Sequence, residues 1–162
     1  MERSRWYIGT PNGVVMCVDS RQEHQPQGRL YHAYSREGKR FGTMEQLFSW
    51  LEQFYNWINF PYPGTVDRTF AEVKTKRARG MSPVERTKMM NDEELLSRHG
   101  DMGTFVIRVQ HRQNSSWQGR ITWLDRDKTV YFRSVWELMK LVDGALDMVC
   151  GTEDGADEVS WT

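Results

Sequence analysis

Two segments of the chain, 91 residues apart, share one pattern of hydrophobic and polar positions. Residues 14–20 and 105–112 are rich in β-branched and apolar side chains, which favour strands. In the second segment Phe105, Ile107 and Val109 alternate with Val106, Arg108 and Gln110. This period of two is expected of a strand with one buried face and one wetter face. Further strands are predicted over 29–34 and 120–124, and short third strands end at Phe41 and Phe132.

A helix is predicted after each third strand. Thr43 and Gln46 form one capping box, and Ser134 and Glu137 form the other, because the hydroxyl can accept from a free backbone N–H while the third residue reaches back. Both helices space their apolar residues at three and four positions, as one buried face requires. These residues are Met44, Leu47, Leu51, Phe54, Tyr55 and Ile58 in the first helix, and Val135, Leu138, Met139, Val142, Leu146 and Val149 in the second.

The two segments also share a sequence string, R-Q-x4-Q-G-R, which runs from Arg21 to Arg29 and from Arg112 to Arg120. Gly28 and Gly119 within it fit a bulge or a left-handed turn position. A unit of about 45 residues buries too little surface to be secure alone, so the two units are expected to pack together. The predicted fold class is α+β, with two tandem βββα units offset by 91, antiparallel strands, one long helix each and pseudo-two-fold symmetry.

The predicted organisation has four parts. Residues 1–60 form the first unit, with an extra N-terminal strand over 5–9. Residues 61–100 form a connector with a net charge of +5 between Arg68 and Lys88 and a short helix at about 91–99. Residues 101–150 form the second unit, and the acidic tail 151–162 is expected to be mobile.

Composition narrows the function classes. The 22 basic and 22 acidic residues balance, which argues against a surface devoted as a whole to a polyanion. The sequence contains no run of 18 apolar residues and no apolar segment after its basic N-terminus, so neither a membrane span nor a secretion signal is predicted. Two cysteines make no disulfide framework, and a cytoplasmic protein is expected.

The sequence predicts no catalytic residues, no metal site and no cofactor. The four histidines lack metal-ligand spacing, and nucleophile and phosphate-loop motifs do not occur. Cys17 is interpreted as a small core residue inside its strand. His111 follows the buried parity of its strand and is interpreted as a core or edge histidine. We therefore expect that the protein is not an enzyme.

The candidate binding surface is formed by Arg side chains that flank the two hairpin loops. Arg21 and Arg29 flank the first loop, and Arg112 and Arg120 flank the second, which also contains Trp117. Two guanidinium groups close together at each hairpin base would suit an anion or an acidic partner surface. The alternative is that these residues pair with Asp19, Glu137 or backbone carbonyls and lock the two halves together.

Three functional hypotheses remain open. The leading one is non-catalytic binding of another protein or of a second copy of the chain through the Arg-flanked hairpins and Trp117. The alternative is nucleic-acid binding, in which hairpin Arg and Trp contact bases and connector residues contact phosphates; those residues are Lys74, Lys76, Arg77 and Arg79. A third is a regulator that senses a nucleotide or another small molecule.

One longer string adds a resemblance. The residues Arg112-Gln113-Asn114-Ser115-Ser116-Trp117-Gln118-Gly119, with Thr122-Trp123, Phe132-Arg133-Ser134 and Glu137-Leu138, resemble a group of uncharacterised small proteins from anaerobic Firmicutes. The resemblance covers mainly residues 91–146. It implies a cytoplasmic bacterial protein and implies no activity.

Overall fold

The computed structural model describes residues 8–61, 70, 86–112 and 116–150. Nine elements lie in this part of the chain. In chain order they are β1 (Val14–Gln22), β2 (Gln25–His32), β3 (Lys39–Phe41), α1 (Met44–Ile58), α2 (Asp92–Leu96), β4 (Gly103–His111), β5 (Gln118–Trp123), β6 (Lys128–Phe132) and α3 (Val135–Cys150).

The six strands form one antiparallel sheet in the order β3-β2-β1-β4-β5-β6. The two strand groups meet at the centre, where β1 pairs with β4 and Val15 lies opposite Val106. The fold is therefore α+β, as predicted, with a single sheet through both halves. The described residues contain three helices, one more than the fold-class prediction of one long helix for each unit, and the third, α2, lies within the short helix predicted at about 91–99 in the connector.

The main core lies between one face of the sheet and the two long helices. It holds the alternate residues Val14, Met16 and Val18 of β1, and its largest buried helical side chains include Tyr55 and Leu138. The predicted capping boxes both form: Thr43 Oγ1 accepts from Gln46 N–H at 3.0 Å, and Ser134 Oγ accepts from Glu137 N–H at 3.1 Å. These hydroxyls satisfy backbone donors that the first turn of each helix leaves free.

The opposite face of the sheet is also buried, which corrects the prediction of a wetter face. A second cluster there combines Val15, Cys17 and Val106 with Leu95 and Leu96 of α2. Cys17 is fully buried, as its interpretation as a core residue required. Residues 5–7 of the predicted extra strand and the tail 151–162 lie outside the described residues, and Ile8 and Gly9 are not in a strand.

A β-bulge interrupts each hairpin at an equivalent position. In β1 the register shifts between Val18 and Ser20, and in β4 it shifts between Val109 and His111. Each shift reverses which face the following residues occupy. For that reason His111 is exposed, and the prediction that it follows the buried parity is wrong.

Candidate functional site

The bulges separate the Arg side chains that the sequence predicted to lie together. After the shift Arg21 lies on the helix face of the sheet, where it meets α3, whereas Arg29 lies on the opposite face beside Asp19. Arg112 and Arg120 divide between the two faces in the same way, because Arg112 contacts α1 and Arg120 lies opposite Arg108. The predicted pair of neighbouring guanidinium groups at each hairpin base is therefore wrong.

Arg21 and Arg112 each cross to the helix of the other half. Arg21 Nη1 donates to Asp147 Oδ1 in α3 at 2.8 Å, and Arg112 Nη1 donates to Asn56 Oδ1 in α1 at 2.7 Å. Arg112 is buried and also donates to the carbonyls of Pro61 at 2.7 Å and Tyr55 at 3.4 Å. Charge-assisted hydrogen bonds to carbonyls at the end of a helix stabilise that end.

Arg29 is also engaged inside the molecule. Its Nε and Nη2 form a bidentate pair with Asp19 at 3.1 and 3.0 Å, and Nη1 donates to the Tyr31 hydroxyl at 2.7 Å. Nη2 also donates to the His99 carbonyl. The hydrogen bond to Asp19 is the main cause that raises the pKa of Arg29. The alternative expectation, that these residues pair internally with Asp19 and with backbone carbonyls, is therefore confirmed for Arg29 and Arg112.

The remaining predicted binding residues have different surroundings. Trp117 is 6% exposed and packs edge-on against Tyr55 with ring centroids 5.3 Å apart, so it belongs to the main core. Arg120 is half-buried, and its Nε has no hydrogen-bond partner among the described residues. The connector residues Lys74, Lys76, Arg77 and Arg79 lie outside the described residues.

A different part of the molecule contains an open cavity. It has a volume of about 490 Å³ and lies between α1 and the outer end of β2. We call it the aromatic groove, because five of its lining residues carry rings: His32, Tyr34, Trp50, Phe54 and Trp57. A volume of this size lies in the range of small-molecule sites.

The groove results from a short edge strand. β3 pairs with β2 only from Gly28 to Leu30, so the end of β2 at His32 has no outer neighbour in this sheet. On the other edge β6 pairs with β5 as far as Trp123. The sheet thus lacks a third strand beside His32, and side chains of α1 line the space at this end of β2.

Helical spacing aligns the rings of α1. Trp50, Phe54 and Trp57 lie at positions i, i+4 and i+7, which share one side of a helix. Phe54 stacks on His32 with ring centroids 4.2 Å apart and an angle of 13° between the planes. Tyr34 meets Trp57 edge-on at 6.1 Å. The rings of His32, Tyr34, Phe54 and Trp57 therefore contact one another.

Burial sets the protonation of His32. Its pKa falls from 6.5 to about 4, because the surrounding protein disfavours the charged ring. The Nδ1 atom accepts from the Tyr34 backbone N–H at 3.1 Å, so the neutral ring carries its proton on Nε2. Burial likewise raises the pKa of Tyr34, whose hydroxyl donates to the Pro11 carbonyl at 2.9 Å.

Two cations lie against the tryptophans of the groove. Lys39 Nζ lies 4.3 Å from the centre of the Trp50 ring, and the Arg86 guanidinium lies 4.2 Å from that of Trp57. Arg86 also donates to the Trp57 carbonyl at 2.8 Å. Trp50 Nε1 is buried with no acceptor among the described residues. Within this part of the chain no group of three or more His, Cys, Asp or Glu residues could hold a metal ion.

The sequence interpretation missed His32, Tyr34 and Phe54 as a group. Phe54 was assigned to the buried helix face, and His32 and Tyr34 were assigned to a strand. The available signal was the excess of tryptophan, because Trp50 and Trp57 lie on α1 beside its regular apolar stripe.

No protein-family model, no curated protein and no solved structure matches this chain. No helix among the described residues is long and apolar enough to cross a membrane.

Proposed function

We propose that this is a non-catalytic binding protein that takes a small planar molecule in the aromatic groove. The observation that carries the proposal is an open cavity of about 490 Å³ whose lining includes five ring-bearing side chains. Planar ligands gain dispersion and quadrupole attraction from such rings, and water is easily displaced from them. This proposal develops the third sequence hypothesis, a sensor of a nucleotide or another small molecule.

The fold itself does not require these rings. At the positions 91 residues after His32, Trp50, Phe54 and Trp57 the chain has Trp123, Leu141, Ala145 and Met148. In that half Trp123 is buried against Phe105. The second half therefore folds with an ordinary packed sheet edge at this position. For that reason, ligand binding explains the groove in the first half better than a contribution to the stability of the fold does.

We also infer that the two halves descend from one duplicated segment. Equivalent pairs at the 91-residue offset support this, among them Arg21–Asp147 with Arg112–Asn56. The helix starts agree too: Gln25 Oε1 accepts from Met44 N–H, and Ser116 Oγ accepts from Val135 N–H. A pseudo-two-fold axis between Val15 and Val106 would relate these pairs.

The other functional hypotheses stay predictions with less support. Docking of a protein at the hairpins would use Arg21, Arg29, Arg112 and Trp117, which are already engaged within the molecule. Nucleic-acid binding through the connector, kinship with the Firmicutes proteins and a cytoplasmic location likewise stay predictions.

Isothermal titration calorimetry tests the proposed function. Adenosine and indole serve as planar probes, and cyclohexanol serves as a non-planar one. Trp57→Leu is expected to weaken binding of the planar probes about tenfold, because a stacked ring contributes on the order of 1–3 kcal/mol. Trp136→Leu is the matched control, since Trp136 is an exposed tryptophan of α3 that does not line the groove.

Two results would contradict the proposed function. One is that neither planar probe binds at millimolar concentration. The other is that Trp57→Leu and Trp136→Leu weaken binding equally. Thermal unfolding of both variants checks that the fold is retained.

A further inference from the structure

We infer, on the basis of the proposed function, that the ligand of the aromatic groove carries an anionic group beside its planar ring and that Lys39 binds this group. The shared chemistry is a heteroaromatic ring with an attached phosphate or carboxylate. A nucleoside monophosphate and an aromatic carboxylic acid are its two sources.

The charges around the groove favour an anion. Lys39 and Arg86 both lie against its tryptophan rings, whereas Glu37 is the one carboxylate among the lining residues. Arg36 is paired with Glu94 at 3.3 Å, but Lys39 has no ion pair among the described residues. Its ammonium is therefore available to an incoming negative charge, at one end of a wall on which a ring can stack.

The uncharged polar groups of the groove point to the same class of ligand. His32 holds its proton on Nε2, since Nδ1 already accepts from Tyr34 N–H. A ligand with an acceptor atom complements the His32 N–H, and a ring nitrogen, a carbonyl or a phosphate oxygen supplies that acceptor.

The position of Lys39 allows it to contact Trp50 in the ligand-free protein and the anionic group of the ligand in the complex. Without a ligand its ammonium lies over the Trp50 ring at 4.3 Å, which is a favourable cation–π contact. Lys39 is exposed on the edge strand β3, so its long side chain can turn to a phosphate or carboxylate without any movement of the backbone. The Trp50 ring is then free on that face.

Calorimetry with paired probes tests this inference. Adenosine is compared with adenosine monophosphate, and indole is compared with indole-3-carboxylate, at low salt. We expect the anionic member of at least one pair to bind about tenfold more tightly, which is the size of one charge-assisted hydrogen bond. The pair that shows the difference identifies the source of the anion. The advantage should fall as sodium chloride is added, because salt screens an exposed charge.

Lys39→Gln should remove the advantage of the anionic probe over its neutral partner, so that the two members of each pair bind with equal affinity. Lys140→Gln is the matched control, because Lys140 also lies over a tryptophan, Trp136, but outside the groove. Both lysines are at the surface, and equal melting temperatures of the two variants would show that their folds are intact. Inorganic phosphate alone is expected not to bind at millimolar concentration, since it has no ring.

The outcomes separate the two proposals. If neutral and anionic probes bind equally, or if Lys39→Gln leaves the preference for the anion intact, the inference about Lys39 is wrong and the proposed function stands. If no planar probe binds, both are wrong. Tight binding of phosphate alone would also overturn the inference, because the ring would then contribute nothing.

Discussion

At the residue scale, His32 combines a stacked ring with a titratable group in the wall of the aromatic groove. It stacks on Phe54 at 4.2 Å, and burial lowers its pKa to about 4. Between pH 4 and 6.5 the unfolded chain binds a proton at this site that the folded chain does not. The contribution of His32 to the free energy of unfolding is therefore fully present above pH 6.5 and is lost as the pH falls towards 4.

His32→Phe should reduce the acid sensitivity of the protein. A pKa that falls from 6.5 to about 4 corresponds to roughly 3 kcal/mol, so the wild-type free energy of unfolding should rise by up to that amount from pH 4 to pH 7 through His32. The phenyl ring keeps the stack on Phe54 and removes the titration. Urea unfolding at several pH values measures the change.

The control for this pH prediction is His99→Phe. The His99 side chain is exposed, and only its backbone carbonyl accepts from Arg29. This variant makes the same change of residue type at a histidine that does not line the groove. Equal slopes for the His32 and His99 variants would contradict the prediction. The other titratable residues that line the groove are Tyr34, Glu37 and Lys39. They are the same in all the proteins compared, so they do not cause a difference between the slopes of the variants.

At the element scale, two glycines allow the hairpin strands to approach each other. Gly28 lies opposite Val18 and Gly119 lies opposite Val109, next to the two bulges. A Cβ atom at Gly28 would overlap the Cys17 carbonyl, and one at Gly119 would overlap the Arg108 carbonyl. Of the two predicted positions, a bulge or a left-handed turn, the turn is wrong because neither glycine has a positive φ, whereas each glycine does lie opposite the start of a bulge. Close backbone approach is the reason for glycine.

Gly28→Ala and Gly119→Ala should each destabilise the protein by about 3 kcal/mol, because the added methyl group meets backbone that cannot move without breaking the strand pairing. Gly144→Ala is the opposite case. It lies inside α3 with nothing within 4 Å of the added atom, so it should stabilise by about 0.5–1 kcal/mol. Urea unfolding of the three variants measures whether each change lowers or raises the free energy of unfolding. An unchanged free energy of unfolding for Gly28→Ala would contradict the prediction.

At the scale of the whole molecule, the junction of β1 and β4 makes one sheet from the two halves. Val14, Met16 and Phe105 contribute to one core with both long helices. Arg21 and Arg112 add bonds from each half to the helix of the other. We therefore expect the described part of the chain to unfold as one cooperative unit.

Leu138→Ala tests this cooperativity. Leu138 is fully buried in α3, so the change should cost about 2–5 kcal/mol. Native-state hydrogen exchange should then show the same loss of protection for amides of β2, in the other half, as for amides of β5. Protection that falls in β5 and stays unchanged in β2 would show that the halves unfold separately.

The sequence by itself determined the local elements. The β-branched and apolar content of residues 14–20 and 105–112 predicted β1 and β4, and the paired caps at Thr43 and Ser134 marked where α1 and α3 begin. These features depend on neighbours a few residues apart, so a pattern along the chain is enough to reveal them. In β4 the face that packs against the helices was predicted correctly as far as Val109, where its bulge begins, whereas the burial of the opposite face was not predicted.

Only the tertiary structure decided the candidate site. One bulge residue in each hairpin moved the Arg side chains to opposite faces, and neither bulge changes the pattern of residue types. The groove depends on where β3 stops against β2 and on which residues of α1 then line the end of β2. Strand pairing between residues far apart in sequence sets both, and hydrophobic periodicity carries no information about where such pairing ends.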